Sequence, residues 1–88
     1  MKQSQFYVYI LRSLADGRRY IGLTNDARRR LQEHNGGHTI STRGRRPFVI
    51  DHVEEFDDRN TAREREKYLK SGAGRRYLAT LHSEKTRP

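Results

Sequence analysis

The chain has 88 residues, 32% of them hydrophobic, with 19 Lys and Arg against 11 Asp and Glu, a formal charge of +8 and a pI near 10.4. That length suits one small domain with a limited core, the lack of cysteine excludes disulfide support, and no apolar run nears the roughly 20 residues of a membrane span. The excess positive charge favours a polyanionic partner, bound in a salt-sensitive way because phosphate contacts release condensed counterions; a merely basic soluble surface is the plain alternative.

From Gln5 to Leu11 two faces alternate, with Phe6, Val8 and Ile10 on one and Tyr7, Tyr9 and Leu11 on the other, which predicts a strand. Ala15-Asp16-Gly17 supplies a hairpin turn. Arg19 to Leu23 reads as an antiparallel second strand, with Ile21 and Leu23 opposite in facing to Tyr20 and Gly22. Thr24-Asn25-Asp26 offers N-cap types for a helix that Gly36-Gly37 stops after Asn35. Ala27, Leu31 and His34 form its inward stripe, and Arg30 borders that stripe one turn before His34.

His38 to Arg46 reads as a basic, polar, mobile loop. Pro47 precedes a third strand, Phe48 to Phe56, at a position that tolerates a missing N–H. Asp57 to Asn60 breaks the chain, and Thr61-Ala62-Arg63-Glu64 matches a capping box for a second helix to about Lys70. Gly72 and Gly74 are expected to end it, followed by a short helix from Arg75 to His82 with Tyr77, Leu78 and Leu81 inward. The expected fold is α+β: a three-stranded antiparallel sheet flanked by about three helices, one domain over residues 1–82 and a polar tail over residues 83–88.

Ala62, Glu66 and Leu69 share a stripe, so Glu66 falls where the core is expected, whereas Glu64 lies about 200° from Ala62 and faces solvent. A carboxylate there needs a partner. Either Glu66 pairs with an arginine at the core edge, or it projects into a cleft and holds a divalent cation. Tyr9 and Tyr20 read alone as packing aromatics, and His34 alone as a cation at a helix C-terminus.

Taken together and in order, Tyr7-Val8-Tyr9, Tyr20-Ile21-Gly22, Arg30, His34, Asn35 and Glu66 resemble the GIY-YIG nuclease domain. The segment YIGLTNDARRRLQEHN is characteristic of that family, and KSGAGRRYLATL resembles a small stand-alone bacterial subgroup. Tyr7 and Val8 stand where the family name has glycine and isoleucine. The resemblance implies a metal-dependent endonuclease that cuts phosphodiester bonds in DNA, with structure-selective cutting in repair or recombination as one role and RNA left open. It implies Tyr9 as the base that activates water, Tyr20 as a group that positions water and phosphate, Arg30 as the support of the charged transition state, His34 as a helper, and Glu66 as the ligand of one Mg²⁺ or Mn²⁺. Gly22 permits close approach. Tyr7, Arg28, Arg29, Arg43, Arg45, Arg46, Arg75 and Arg76 are the expected nucleic-acid contacts. A binding module of the same fold without turnover is the alternative. A monomer in the cytoplasm without membrane contact completes the expectation, the N-terminal segment having no secretory layout.

Overall fold

Val8, Tyr9, Ile10 and Leu11 are each 1% exposed or less, which marks their strand as covered on both faces. The computed structural model describes the backbone of residues 5–86 and the side chains of residues 5–81. In chain order the elements are β1 (Phe6–Ser13), β2 (Arg19–Thr24), α1 (Ala27–Asn35), α2 (Ile40–Arg43), β3 (Phe48–Phe56), α3 (Arg59–Leu69) and α4 (Gly72–Thr86). The sheet is antiparallel in the order β2-β1-β3, so the first strand is central.

The alternation expected of the strands decides the two layers. Val8 and Ile10 pack with Ala62, Leu69 and Leu78, joined by Ile21 and Leu23 of β2, beneath α3 and α4. Tyr9 and Leu11 pack with Phe48, joined by Tyr20, Ala27 and Leu31, beneath α1. Gly17, at φ +76°, carries the left-handed position of the β1–β2 hairpin, a backbone region in which a Cβ is strained. Between Ile10↔His52 and Leu11↔Ile50 the register skips Asp51, a β-bulge on β3. The extra residue's carboxylate lies 3.5 Å from Arg12 and 3.8 Å from Arg19.

The helices depart from the sequence reading in three places. The segment expected to be a mobile loop contains α2 and is tied down at both ends. Thr42 is fully buried against His34, and the Arg45 carbonyl accepts from the Ser13 hydroxyl at 2.6 Å. Helix α3 starts earlier than the Thr61 box suggested. Asp58 is its N-cap and accepts from the Thr61 amide at 2.8 Å, so the aspartate in the expected break takes the capping role.

Gly72 and Gly74 do not precede the last helix as expected; they form the first turn of α4, which starts three residues before Arg75. Gly74 is buried, and a Cβ there would run into the Tyr68 carbonyl and the Leu69 backbone. Glycine at this point lets α4 cross the end of α3 at backbone contact. Helix α4 continues through Thr86, so residues 83–86 of the expected tail are helical and residues 87–88 lie outside the described residues. Among the described residues no helix is long and apolar enough to cross a membrane.

Candidate active site

The free side of β2 forms the floor of a cleft of about 490 Å³. Tyr9, Tyr20 and Arg30 reach it from the α1 side of the sheet, and Glu66 reaches it from α3. Gly22, directly opposite Tyr9 in the β1–β2 register, completes the floor. A Cβ on Gly22 would collide with the Tyr9 phenol, so glycine here makes room for the tyrosine ring. The close approach expected of this glycine is thus made first by another part of the protein.

Tyr9 is buried, and its hydroxyl donates toward His34 Nε2 at 3.3 Å. Arg30 Nη2 lies 3.5 Å from the same nitrogen. A guanidinium can only donate, so Nε2 is the unprotonated nitrogen and Nδ1 carries the hydrogen. Nδ1 then donates to Thr42 Oγ1 at 2.7 Å, and that hydroxyl passes its own hydrogen to the Thr39 carbonyl at 3.4 Å. One chain of bonds from α2 through His34 therefore fixes which lone pair faces Tyr9. Tyr20 stacks obliquely on His34, with ring centroids 4.6 Å apart.

The electrostatics follow from burial. Desolvation raises the Tyr9 pKa above the ordinary tyrosine value, and the facing Arg30 offsets this only in part. Desolvation lowers the His34 pKa, and the Arg30 charge lowers it further. At neutral pH the pair is therefore a phenol and a neutral imidazole. Arg30 is itself steadied by Tyr9 and by an ion pair with Glu33.

Glu66 is paired, as one reading of its stripe expected, and it also faces a cleft. Its side chain is 15% exposed and lines the cleft. Its oxygens are engaged by Lys70 Nζ at 3.1 Å and Arg63 Nε at 3.6 Å. Glu64 is exposed, as its helical phase predicts. Among the described residues lining the cleft Glu66 is the sole carboxylate, and no cluster of three acidic, histidine or cysteine side chains exists. That donor set fits a magnesium ion, which is commonly held by one or two carboxylates while keeping several waters. It does not fit a cation that needs a cage of protein ligands.

The expected nucleic-acid contacts scatter. Tyr7 donates to Gln5 Oε1 at 3.1 Å and does not line the cleft. Arg29 lines an adjoining hollow with Arg30 and Arg59, while Arg28 is exposed beside it on α1. Arg43, Arg45 and Arg46 lie with α2 and its exit. Arg45 pairs with Asp16 at 3.3 Å and Arg46 donates to the Arg43 carbonyl at 2.7 Å. Arg75 lines a neighbouring groove, and Arg76 is exposed on α4 without lining the cleft.

Besides Arg30, the cations that line the cleft with Glu66 are Arg59, Arg63, Lys67 and Lys70. Sequence reasoning passed over them. Their signal was present: Arg59, Arg63, Glu66 and Lys70 recur at i, i+4, i+7 and i+11, one stripe of a 3.6-residue helix. Thr42 was also missed, because its relation to His34 depends on a helix the sequence did not announce.

Residues 5–77 match the GIY-YIG catalytic domain. The chain belongs to the GIY-YIG family. Its relatives include a UPF0213 protein of Natronomonas pharaonis, 44% identical over 74% of this chain and 76% of the relative. Another is a UPF0213 protein of Bacillus cereus, 33% identical over 91% of this chain and 94% of the relative. The small UPF0213 relatives thus come from archaea as well as bacteria. The solution NMR structure of a UPF0213 protein from Bacillus halodurans is similar at 35% identity, with a TM-score of 0.54 over 88% of this chain and 84% of that one. These GIY-YIG relationships place the chain in a nuclease family and agree with the three-stranded α+β fold.

Proposed function

We propose that this protein is a metal-dependent endonuclease that hydrolyses phosphodiester bonds in DNA. The observation that carries this reading is the convergence of Tyr9, Tyr20, Arg30 and Glu66 on one cleft edged by Arg59, Arg63, Lys67 and Lys70. A phosphodiester is an anion that gains charge on attack, and a cleft with one carboxylate and several cations suits that change. Arg30 directs hydrogen bonds at the non-bridging oxygens, and the α3 cations hold neighbouring phosphates. Structure-selective cutting in repair or recombination is the expected setting.

The proton path follows from the bond chain behind Tyr9. A phenol with a raised pKa does not ionise at neutral pH, so it acts as a base only by releasing its own proton as it takes one from water. The His34 Nε2 lone pair is the receiver. As the attacking oxygen bonds to phosphorus and the leaving P–O bond breaks, water's proton moves to Tyr9 and the phenol's proton to His34, while the leaving oxygen takes a proton from solvent water in the open cleft. Thr42 steadies the imidazolium's Nδ1–H throughout. Tyr20, packed on His34 and open to the cleft, positions the water or the phosphate. Glu66 would hold a bound Mg²⁺, which supplies charge neutralisation at the phosphate and leaving oxygen. Arg63 and Lys70 release Glu66 when they turn to phosphates.

The test is a cleavage panel of duplex, nicked, branched and single-stranded DNA, and matching RNA, with Mg²⁺ or Mn²⁺ or with chelator. Cleavage of DNA is expected, lost with chelator and reduced at least ~100-fold by Glu66→Gln or Arg30→Ala, with salt-sensitive binding retained. Salt-sensitive binding without cleavage of any substrate would leave a binding module, a reading favoured by the two cations that occupy Glu66. Cleavage of RNA alone would transfer the activity to RNA.

A further inference from the structure

Arg30 stands at a wall shared by two spaces. It lines the cleft with Tyr9, Tyr20 and Glu66, and it lines the adjoining hollow of about 370 Å³ with Asn25, Arg29, Glu33 and Arg59. Leu23 and Arg59 border both spaces as well, so the two are continuous. A long side chain at such a place has two destinations, and only one brings its guanidinium beside Tyr9 and His34.

Arg29, Arg30 and Arg59 line the hollow, and Glu33 is its one carboxylate among the described residues. That carboxylate uses both oxygens. Oε1 pairs with Arg30 Nη1, and Oε2 lies 3.5 Å from Arg29 Nε. The spacing allows this, because Glu33 follows Arg29 by four residues and Arg30 by three, and such residues meet on a helix surface. Arg29 is braced in turn by Asn25, whose Oδ1 accepts from Nη2 at 3.3 Å. An isolated, exposed ion pair holds little, but a network is stiffer. Here the Arg30 and Glu33 side chains are only 28% and 35% exposed, and the network runs from Asn25 to the buried His34. With Nη1 tied to Glu33, Nη2 comes to lie 3.5 Å from His34 Nε2. A carboxylate so close to a phosphate site repels the substrate, so its presence there calls for a compensating role.

We propose that Glu33 is a positioning residue for the reaction: it keeps Arg30 turned toward Tyr9 and the cleft and out of the adjoining hollow. The proposal rests on the nuclease reading, in which Arg30 directs hydrogen bonds at the phosphate. It separates two effects of one charge. Removing Glu33 takes away a repulsion, so DNA binds as well as before or better, yet Arg30 gains freedom and the chemical step slows.

The test compares the full chain with Glu33→Ala, the isosteric Glu33→Gln, and Glu64→Gln, which removes an equal charge from an exposed place on α3. Two things are measured: kcat and KM on a DNA that the wild type cuts, and the Arg30 guanidinium nitrogens by NMR. Glu33→Ala is expected to lower kcat roughly tenfold with KM unchanged or lower. Glu33→Gln keeps an accepting oxygen and should lose less, and Glu64→Gln should keep the wild-type kcat. On an Arg30→Ala background, Glu33→Ala should cost nothing further, because the two residues act as one unit. The Arg30 Nη signals should be separate in the wild type, where Glu33 hinders rotation, and merge in Glu33→Ala. An unchanged kcat in both Glu33 variants, an undiminished loss on the Arg30→Ala background, or Arg30 signals alike in every variant overturns the proposal. If the wild type cuts DNA and the Glu33 variants cut it equally well, the nuclease reading stands and only this inference falls. If no DNA is ever cut, the nuclease reading falls, and the nitrogen signals alone decide whether Glu33 fixes Arg30.

Discussion

At the junction of Tyr9, Arg30 and Thr42 lies a histidine with no exposed surface. The position of His34 was readable from the sequence, since it continues the inward stripe of Ala27 and Leu31. Its tautomer was not, because that depends on a threonine eight residues away in an unannounced helix. Burial lowers its pKa below the ordinary value near 6.5. Between the folded and ordinary values the unfolded chain binds more protons than the folded one, so stability rises with pH there. The contribution is full above pH ~6.5 and is lost as pH falls through the folded pKa. Chemical denaturation at a series of pH values should show the midpoint falling on acidification below ~6.5, with a smaller slope in His34→Gln. Cleavage should hold through that window and lose rate only as pH falls through the lowered pKa of folded His34, where a protonated imidazole cannot receive from Tyr9. A His34 that titrates above 6.5 by NMR would remove both expectations.

At the scale of elements, sequence legibility followed the local pattern. Strand alternation separated Val8 and Ile10 from Tyr9 and Leu11, and Ile21 and Leu23 from Tyr20; the structure keeps both divisions and joins them into two layers. Asp26 caps α1, accepting from the Arg29 amide at 3.0 Å, and Gly36 follows its end. What escaped was set by partners far away in the chain. The capping-box reading at Thr61 competed with a better acceptor at Asp58. Gly74 reads as a stop unless one knows that α3 lies against it. Asn35 is a case of the same kind: its amide donates to the Phe48 carbonyl at 3.0 Å and accepts from the Phe48 N–H at 2.7 Å. The side chain thus acts as one residue of an added strand, locking the end of α1 to the start of β3. Asn35→Ala leaves two backbone groups without these partners, and the expected loss is about 1–3 kcal/mol in denaturant unfolding. A loss within error of zero would mean that water replaces the amide without penalty.

Across the whole molecule, the +8 charge was the earliest clue, but it did not say where the cations gather. The arginines most visible in the sequence, Arg45 and Arg46, are spent on Asp16 and on the Arg43 carbonyl. Apart from Arg30 on α1, the arginines that face the cleft lie on the stripe of α3 that also carries Glu66. On the proposed nuclease reading, that arrangement would make substrate and metal thermodynamic allies. In the free protein Lys70 and Arg63 compete with any cation for Glu66. A DNA phosphate that draws those side chains away exposes the carboxylate, and linkage requires that each ligand then tighten the other by the same factor. Calorimetric titration of Mg²⁺ should therefore give a higher affinity with an uncleavable oligonucleotide present, and the oligonucleotide should bind more tightly with Mg²⁺. Lys70→Met should shrink that mutual gain by raising metal affinity in the free protein. Equal Mg²⁺ affinity with and without DNA would mean that the two cations do not guard Glu66. On the proposed nuclease reading, the salt bridges of Glu66 would act as a latch: the carboxylate is kept in reserve, and the phosphate to be cut would release it.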